Sequence, residues 1–173
     1  MALSVEQLTT LKAAIFAETD AAIVAARTPA TRDDRVISAF YNQKTAPPFY
    51  VYRSVLSRHE ILTGTSDDGT TFAWTAGAYI TRSQGERDAF REMFNSTGSV
   101  DPSLPTIVAA FNDIFSGAGG ASNRTHITAM SRRPCNRFER IFATGTGSKA
   151  APGVAAVSGS VSTDDVSRAL NLE

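Results

Sequence analysis

Serine-based capping signals that precede helical stretches are the feature that most restricts how this chain folds. A serine at a helix start accepts from the backbone N–H three residues on, and a polar side chain at that third position can bond back to the serine. The pairs are Ser4 with Gln7, Ser83 with Glu86 and Ser162 with Asp165. Apolar residues follow the first two pairs every three or four positions, as on one face of a helix. The predicted helices are about 4–19, 84–94 and 163–170.

The rest of the first 142 residues is also predicted to be mostly helical. The expected helices are 21–26, 33–41, one that ends near Phe115, 122–130 with Ser122 as its cap, and 137–142. The helix that ends near Phe115 can begin after Asp101 or one turn later at Pro105, because proline is favoured at the first helical position. Gly117–Gly120 is expected to end that helix and to form a flexible joint.

Residues 48–80 are expected to interrupt the helices with extended chain. Phe49–Leu56 is rich in aromatic and β-branched residues, which favour an extended segment. Phe72 and Trp74 alternate with smaller residues and predict a short strand over Thr71–Tyr79, after a turn at Asp67–Thr70. The predicted fold class is mainly α: a small helical bundle with a minor extended or β insertion at about 48–80 and a long flexible C-terminal arm.

The predicted arm begins after the last helix of the body. Ala143–Ser162 is rich in Gly, Ser, Ala and Val and has no helical period. We therefore expect a helical body, 1–142, and an arm, 143–173, that carries the short terminal helix. Ala143–Ser148 is the expected hinge, and the arm is expected to become ordered on assembly.

Composition and motifs argue against an enzyme. The 173 residues are 42% hydrophobic and carry no net charge, which suits a globular domain better than a dedicated nucleic-acid binder. Cys135 is the single cysteine, so neither an internal disulfide nor structural zinc is expected. Thr144–Lys149 has the wrong residue order for a phosphate-binding loop. We expect no catalytic residues, cofactor, metal or membrane span. We also expect His126 to lie on the surface or on a helix face, and the protein to be made in a reducing cytosol.

The charge is nevertheless unevenly distributed. Residues 121–150 contain six Lys or Arg and one acid, Glu139, which gives this stretch a charge of +5. Three arginines, at positions i, i+4 and i+7, are predicted to share the outward face of one helix: Arg133, Arg137 and Arg140. Arginine binds carboxylates and phosphates equally well, so the partner could be an acidic protein surface or nucleic acid. Alternatively, the face is solvated and paired with acids elsewhere, such as Glu86, Asp88 and Glu92.

Several segments resemble proteins encoded among the head and neck genes of tailed bacteriophages and prophages. The resemblance extends over most of the chain. Its longest parts are Ile80–Glu92, Asp101–Pro105, Arg124–His126, Ser131–Arg133, Arg137–Ser148 with Ala151-Pro152, and Val161–Val166. Typical members have Lys-Ala-Thr where this chain has Pro134-Cys-Asn136. This difference argues against a continuous helix through Arg133, Arg137 and Arg140.

The resemblance implies a head–tail connector, or adaptor: a helical subunit without catalytic residues that forms a ring, expected to be twelvefold, between portal and tail. Its location would be the neck of the virion. The implied partners are copies of itself, the portal protein, a neighbouring neck or tail protein and, nonspecifically, the DNA in the channel. The residues expected to contact them are Arg124, Arg132, Arg133, Arg137, Arg140, Thr144, Gly145, Thr146, Gly147 and Lys149. The alternatives are another neck component, a tail terminator or head-closure protein, or a small DNA-binding regulator.

Overall fold

Helices dominate the computed structural model, which describes residues 2–95 and 97–172. About 49% of the chain is helical and 11% is in strands, so the predicted mainly α fold is confirmed. The chain forms two compact units. The first comprises the residues up to Phe49, Pro134–Thr144 and those from Ala155 onward, and the second comprises Tyr50–Arg133 and Gly145–Val154.

The first unit is a bundle of short helices. Its members are α1 (Val5–Ala17), α2 (Ala21–Ala26), α3 (Asp34–Tyr41), α8 (Arg137–Ile141) and α9 (Thr163–Leu170). The predicted capping boxes begin α1 at Ser4 and α9 at Ser162. The apolar faces of these helices meet in one core, in which Leu11, Ile37 and Val166 are completely buried. Local capping therefore sets the helix starts, and the shared core holds the helices together.

The second unit contains the remaining helices and an aromatic core. The helices are α4 (Arg58–Thr63), α5 (Gln84–Glu92), α6 (Pro105–Ile114) and α7 (Ala121–Ser131), with a π-helical turn at Ala76–Ile80 and a 3₁₀ turn at Ala118–Gly120. Phe90 and Phe115 are fully buried, and their rings meet edge to face with centroids 5.4 Å apart. Phe72 packs against both rings. Such edge-to-face pairs add stability beyond the area that they bury.

Short strands form two-stranded ladders in the described part of the chain. The strands are β1 (Tyr50–Tyr52), β2 (Leu56–Ser57), β3 (Ser99–Val100), β4 (Arg132–Pro134), β5 (Ala143–Thr144) and β6 (Val154–Ala155). The pairs are β1 with β4, β2 with β3, and β5 with β6. The β2–β3 pair is antiparallel, with Leu56 opposite Val100.

The predicted strand at Thr71–Tyr79 is wrong. Thr71 makes one isolated antiparallel bridge with Thr65, and Ala76–Ile80 is a π-helical turn instead. The backbone of Ala73 is bonded to a side chain rather than to a strand: its N–H donates to Asn123 Oδ1 at 2.7 Å, and its carbonyl accepts from Asn123 Nδ2 at 3.1 Å. Of the two aromatic residues that suggested a strand, Phe72 is buried in the core, whereas Trp74 is 49% exposed and meets the Phe72 ring edge to face.

One helix start and one joint also differ from the prediction, and a second start matches one of two predicted alternatives. Of the two possible starts near Pro102, the structure has the later one, at Pro105. Helix α7 begins after Gly120 instead of after Ser122. Gly120, at the end of this segment, is closely packed, since a Cβ atom on it would lie 1.9 Å from the carbonyl oxygen of Phe115. Glycine therefore permits a close backbone approach at this point and does not act as a flexible joint.

The predicted division into a body, 1–142, and an arm, 143–173, also differs from the structure. Gly145–Val154, here called the strap, is part of the second unit, whereas the residues from Ala155 onward are part of the first. Within the first unit, the Asn42 side chain makes two 2.9 Å hydrogen bonds with the backbone of Val161. Val166 and Ala169 of α9 are fully buried there. The terminal helix therefore contributes to a core.

Backbone hydrogen bonds hold the strap along β1 in the second unit. Tyr50 N–H donates to Gly147 O at 2.8 Å, Gly153 N–H donates to Tyr50 O at 2.9 Å, and Tyr52 N–H donates to Gly153 O at 2.9 Å. A composition rich in Gly and Ser predicts free chain only when its peptide groups have no partners. Here those partners come from a strand about 100 residues earlier in the sequence.

Candidate interaction site

The arginines that were predicted to share one helix face lie on two different elements. Arg132 and Arg133 are in β4, whereas Arg137 and Arg140 are in α8. Pro134 separates them, because the residue before a proline avoids the helical region. The side chain of Asn136 then caps α8 by accepting from the backbone N–H of Glu139 at 2.7 Å. The predicted single arginine face is therefore wrong.

Aromatic rings of the first unit hold the two arginines of α8. The guanidinium of Arg137 lies 3.9 Å from the centroid of the Phe40 ring, and that of Arg140 lies 4.0 Å from the centroid of Phe49. A cation at this distance from a ring face gains about 0.5–1 kcal/mol or more, depending on its exposure. Each guanidinium therefore contacts a ring of its own unit, although Arg140 is also exposed to solvent.

The predicted hinge is a compact turn. Gly145 and Gly147 have φ angles of +89° and +65°, which glycine adopts without strain. The hydroxyl of Thr146 donates to the carbonyl of Ala151 at 2.9 Å, which closes the loop. Thr144 precedes this turn at the end of β5 and is exposed. These four predicted contact residues therefore form the turn with which the strap begins.

Two of the predicted cations meet at a pair of carboxylates in the second unit. Arg132 Nη2 donates to Asp67 Oδ1 at 2.9 Å and also to Asp68 Oδ2, and Nη1 donates to Lys149 O at 2.6 Å. Lys149 Nζ donates to Asp68 Oδ1 and lies 3.8 Å from Asp67 Oδ2. The Arg132 side chain is only 4% exposed, so it connects the Asp67–Asp68 turn to the strap from a buried position.

Hydrogen bonds keep this ion cluster charged. Those from Lys149 and then Arg132 lower the pKa of Asp68, and the bond to Asp68 raises the pKa of Lys149. The turn that presents the carboxylates forms as predicted: Gly69 has a φ of +73°, and Ser66 N–H donates to Thr70 O at 3.0 Å. The pair of Asp68 and Lys149 therefore persists at neutral pH.

A polar cleft of about 390 Å³ adjoins the ion cluster. It is lined by residues of α6, α7, the start of β4, the strap and the aspartate turn. These are Asn112 from α6, Arg124, Thr125 and Thr128 from α7, Arg132 from β4, Lys149 and Ala150 from the strap, and Asp68.

Arg124 is fixed at this cleft by the end of a helix. Its Nη1 donates to the carbonyls of Phe115 and, at 3.0 Å, Gly117, just beyond α6. Arg82 Nη2 donates to the neighbouring carbonyl of Ser116 at 2.7 Å. Cations are favoured at a helix C-terminus, where unpaired carbonyls carry partial negative charge. One side of the Arg124 guanidinium is thus committed to the fold.

The structure therefore brings together three of the ten predicted contact residues, Arg124, Arg132 and Lys149. Sequence reasoning missed the partners that complete the site: Asp67, Asp68, Asn112, Thr125 and Thr128. The Asp67-Asp68 pair was visible as a turn, but no local signal links it to a basic segment 64 or more residues later. Two of the three acids named in the alternative interpretation pair locally instead, Glu86 with Arg82 and Asp88 with Arg91.

His126 lies beneath this region and is fully buried, so the expectation of a surface position is wrong. Its ring nitrogens lie 3.1 Å from Thr70 Oγ and 2.8 Å from Ile61 O. A buried imidazole with both nitrogens bonded joins α4 and α7 to the turn that carries the two aspartates.

Comparisons with family models, curated proteins and solved structures give no match to this chain. Among the residues that the structure describes, three or more His, Cys, Asp or Glu side chains never cluster in a way that could hold a metal ion. Within the same ranges, every helix is too short or too polar to cross a membrane.

Proposed function

We propose that this protein is a virion structural protein, a head–tail connector subunit that forms a ring between the portal and the tail of a tailed bacteriophage. The observation that carries the proposal is the resemblance to phage neck proteins, which runs from Ile80 to Val166 in several segments. A mainly helical subunit of this size is compatible with that role. A connector acts by binding its neighbours, and the proposal therefore needs no catalytic group.

Exposed apolar side chains on α1 support self-association. Val5 is 69% exposed and Phe16 is 52% exposed. Eleven residues separate them, which is about three helical turns, so both lie on the same outward side of α1. Apolar residues on an outer face suit a surface that packs against another protein, because burial there would remove them from water.

The strap supplies the reach that a connector needs. Residues 143–162, which include the strap, would span on the order of 60 Å if they were fully extended. Leaving the second unit would break the backbone bonds to Tyr50 and Tyr52 and the ion pair of Lys149 with Asp68. We propose that contacts with a neighbouring subunit replace these bonds during assembly. The strap would then exchange its partners within the chain for partners in the neighbouring subunit.

Inactivation of the gene in the phage or prophage that encodes the chain tests this function. We expect DNA-filled heads and separate tails in place of infectious particles, and restoration by the wild-type gene supplied in trans. Mass spectrometry of purified wild-type virions should detect the protein. Infectious particles of normal yield without it, or its absence from virions, would overturn the proposal.

Two further outcomes would identify the alternatives. A different position or symmetry in the neck would indicate a tail terminator or head-closure protein. Tight binding of the isolated protein to duplex DNA, falling steeply as salt rises, would indicate a DNA-binding regulator. Against a regulator, Arg124 and Arg132 already donate to carbonyls and carboxylates of their own unit.

A further inference from the structure

We infer that the polar cleft of the second unit, between α6, α7 and the strap, binds an acidic side chain of a partner protein. The inference rests on the proposed function, since it names the chemistry of a surface that the connector would contact. It also makes Asn112, Thr125 and Thr128 binding residues, a role that the arginine-rich sequence did not suggest.

Hydrogen-bond donors without protein partners converge on the cleft. The Asn112 amide and the hydroxyls of Thr125 and Thr128 line it, and within the described chain these side chains have no hydrogen-bond partner. Arg124 uses only Nη1 for the carbonyls of Phe115 and Gly117. Its Nε and Nη2, which form one edge of the guanidinium, remain available to bind a carboxylate with two parallel hydrogen bonds.

The charge of the site favours a single anionic group. Arg132 and Lys149 pair with the carboxylates of Asp67 and Asp68, whereas Arg124 has no carboxylate partner among the described residues, so one positive charge is unmatched. A carboxylate accepts about four hydrogen bonds, which matches the free donors of the arginine, amide and hydroxyl groups. A volume of about 390 Å³ accommodates a few side chains, at the small end of the range for ligand sites.

Nucleic acid fits the cleft less well than an acidic protein segment. Duplex DNA gains its affinity from several phosphate contacts along a basic surface, whereas this site has one unmatched positive charge. Asp68, which also lines the cleft, would repel the further phosphates of a duplex. A glutamate or aspartate flanked by neutral residues avoids that repulsion.

Calorimetry with the full chain tests the inference. The probe is the acetylated and amidated peptide Gly-Gly-Glu-Gly-Gly, with the corresponding Gln peptide as its matched control. We expect the Glu peptide to bind at least tenfold more tightly, and affinity to fall at least tenfold in the N112A/T125A/T128A variant. These three side chains have no internal partner, so the variant should fold. The control variant T19A/N95A, which removes an exposed hydroxyl and an exposed amide elsewhere, should bind like the wild type.

Three results would overturn the inference: equal affinity for the Glu and Gln peptides, unchanged binding by the triple variant, or binding of inorganic phosphate or a 20-base-pair duplex in preference to the Glu peptide. The outcome is separable from that of the proposed function. Failure of peptide binding by a protein that is present in virions refutes the cleft alone. Peptide binding by a protein that is absent from virions refutes the connector and leaves the cleft.

Discussion

Truncation of Arg132 should destabilise the protein, because this side chain joins the strap to the Asp67–Asp68 turn from a buried position. Arg132→Ala removes a 2.6 Å bond to the carbonyl of Lys149, bonds to both carboxylates, and a guanidinium 5.3 Å from the centroid of the Tyr50 ring. Hydrogen bonds to charged groups contribute about 1.5–3 kcal/mol each, and removal of one partner from a buried pair costs about 3–5 kcal/mol.

The expected cost lies at the low end of that range. The side chains of Asp67 and Asp68 are 46% and 33% exposed, so both carboxylates regain water when the arginine is lost. We therefore expect the free energy of unfolding to fall by about 3 kcal/mol. For a slope of about 2 kcal/mol per molar urea, the unfolding midpoint falls by about 1.5 M.

Urea denaturation followed by circular dichroism measures this shift. Arg35→Ala is the matched control, because Arg35 is exposed on α3, and it should change stability by no more than about 0.5 kcal/mol. The R132A variant should also be cut faster by trypsin after Lys149, since the strap loses its buried anchor. A change below about 0.5 kcal/mol for R132A, with unchanged cleavage, would refute the structural role of Arg132 and leave its charge free for a partner.

Three further predictions concern packing and titration. Gly120→Ala should lower the free energy of unfolding in urea by about 3 kcal/mol or more, because its Cβ would overlap the Phe115 carbonyl. The control Gly85→Ala, in the open face of α5, should be neutral or stabilising. Equal effects of the two substitutions would contradict the close approach of the backbone at Gly120. Burial, and then the charge of Glu18, raise the pKa of Tyr41 to about 12, so stability should fall as pH rises from 10 to 12, and less so in Tyr41→Phe. The hydrogen bond from Arg53 and those from Ser57 lower the pKa of Glu60 to about 2, so acid unfolding between pH 4.5 and 2 should be shallower in Glu60→Gln. Coincident profiles of either variant with the wild type would contradict the corresponding pKa shift.

Local signals in the sequence predicted most of the helices. The capping boxes at Ser4, Ser83 and Ser162 are formed as expected, because each depends on atoms only three residues apart. The alternation of Phe72 and Trp74 wrongly predicted a strand, because a period of two over so few residues also occurs in an irregular segment that packs on a core. The Asn123 side chain that fixes this segment lies 50 residues away and leaves no local trace.

The candidate site was only partly predictable for the same reason. A run of arginines identifies a local excess of charge, but the burial of Arg132 and its pairing with Asp67 and Asp68 depend on contacts across more than 60 residues. The strap likewise has the composition of a free arm, although β1 supplies partners for its peptide groups. What the sequence identified was the region of the site, and the structure identified the groups within it that remain available.

Electron cryomicroscopy of neck complexes from the tailed phage that we propose encodes this chain tests the proposed connector function most directly. We predict a closed ring of this subunit directly below the portal, expected to be twelvefold. Copies of the chain should pack side by side, with residues 143–162 of each copy in contact with a neighbouring chain. A neck that contains no density for this chain, with the protein also undetected in the particles, would contradict the account.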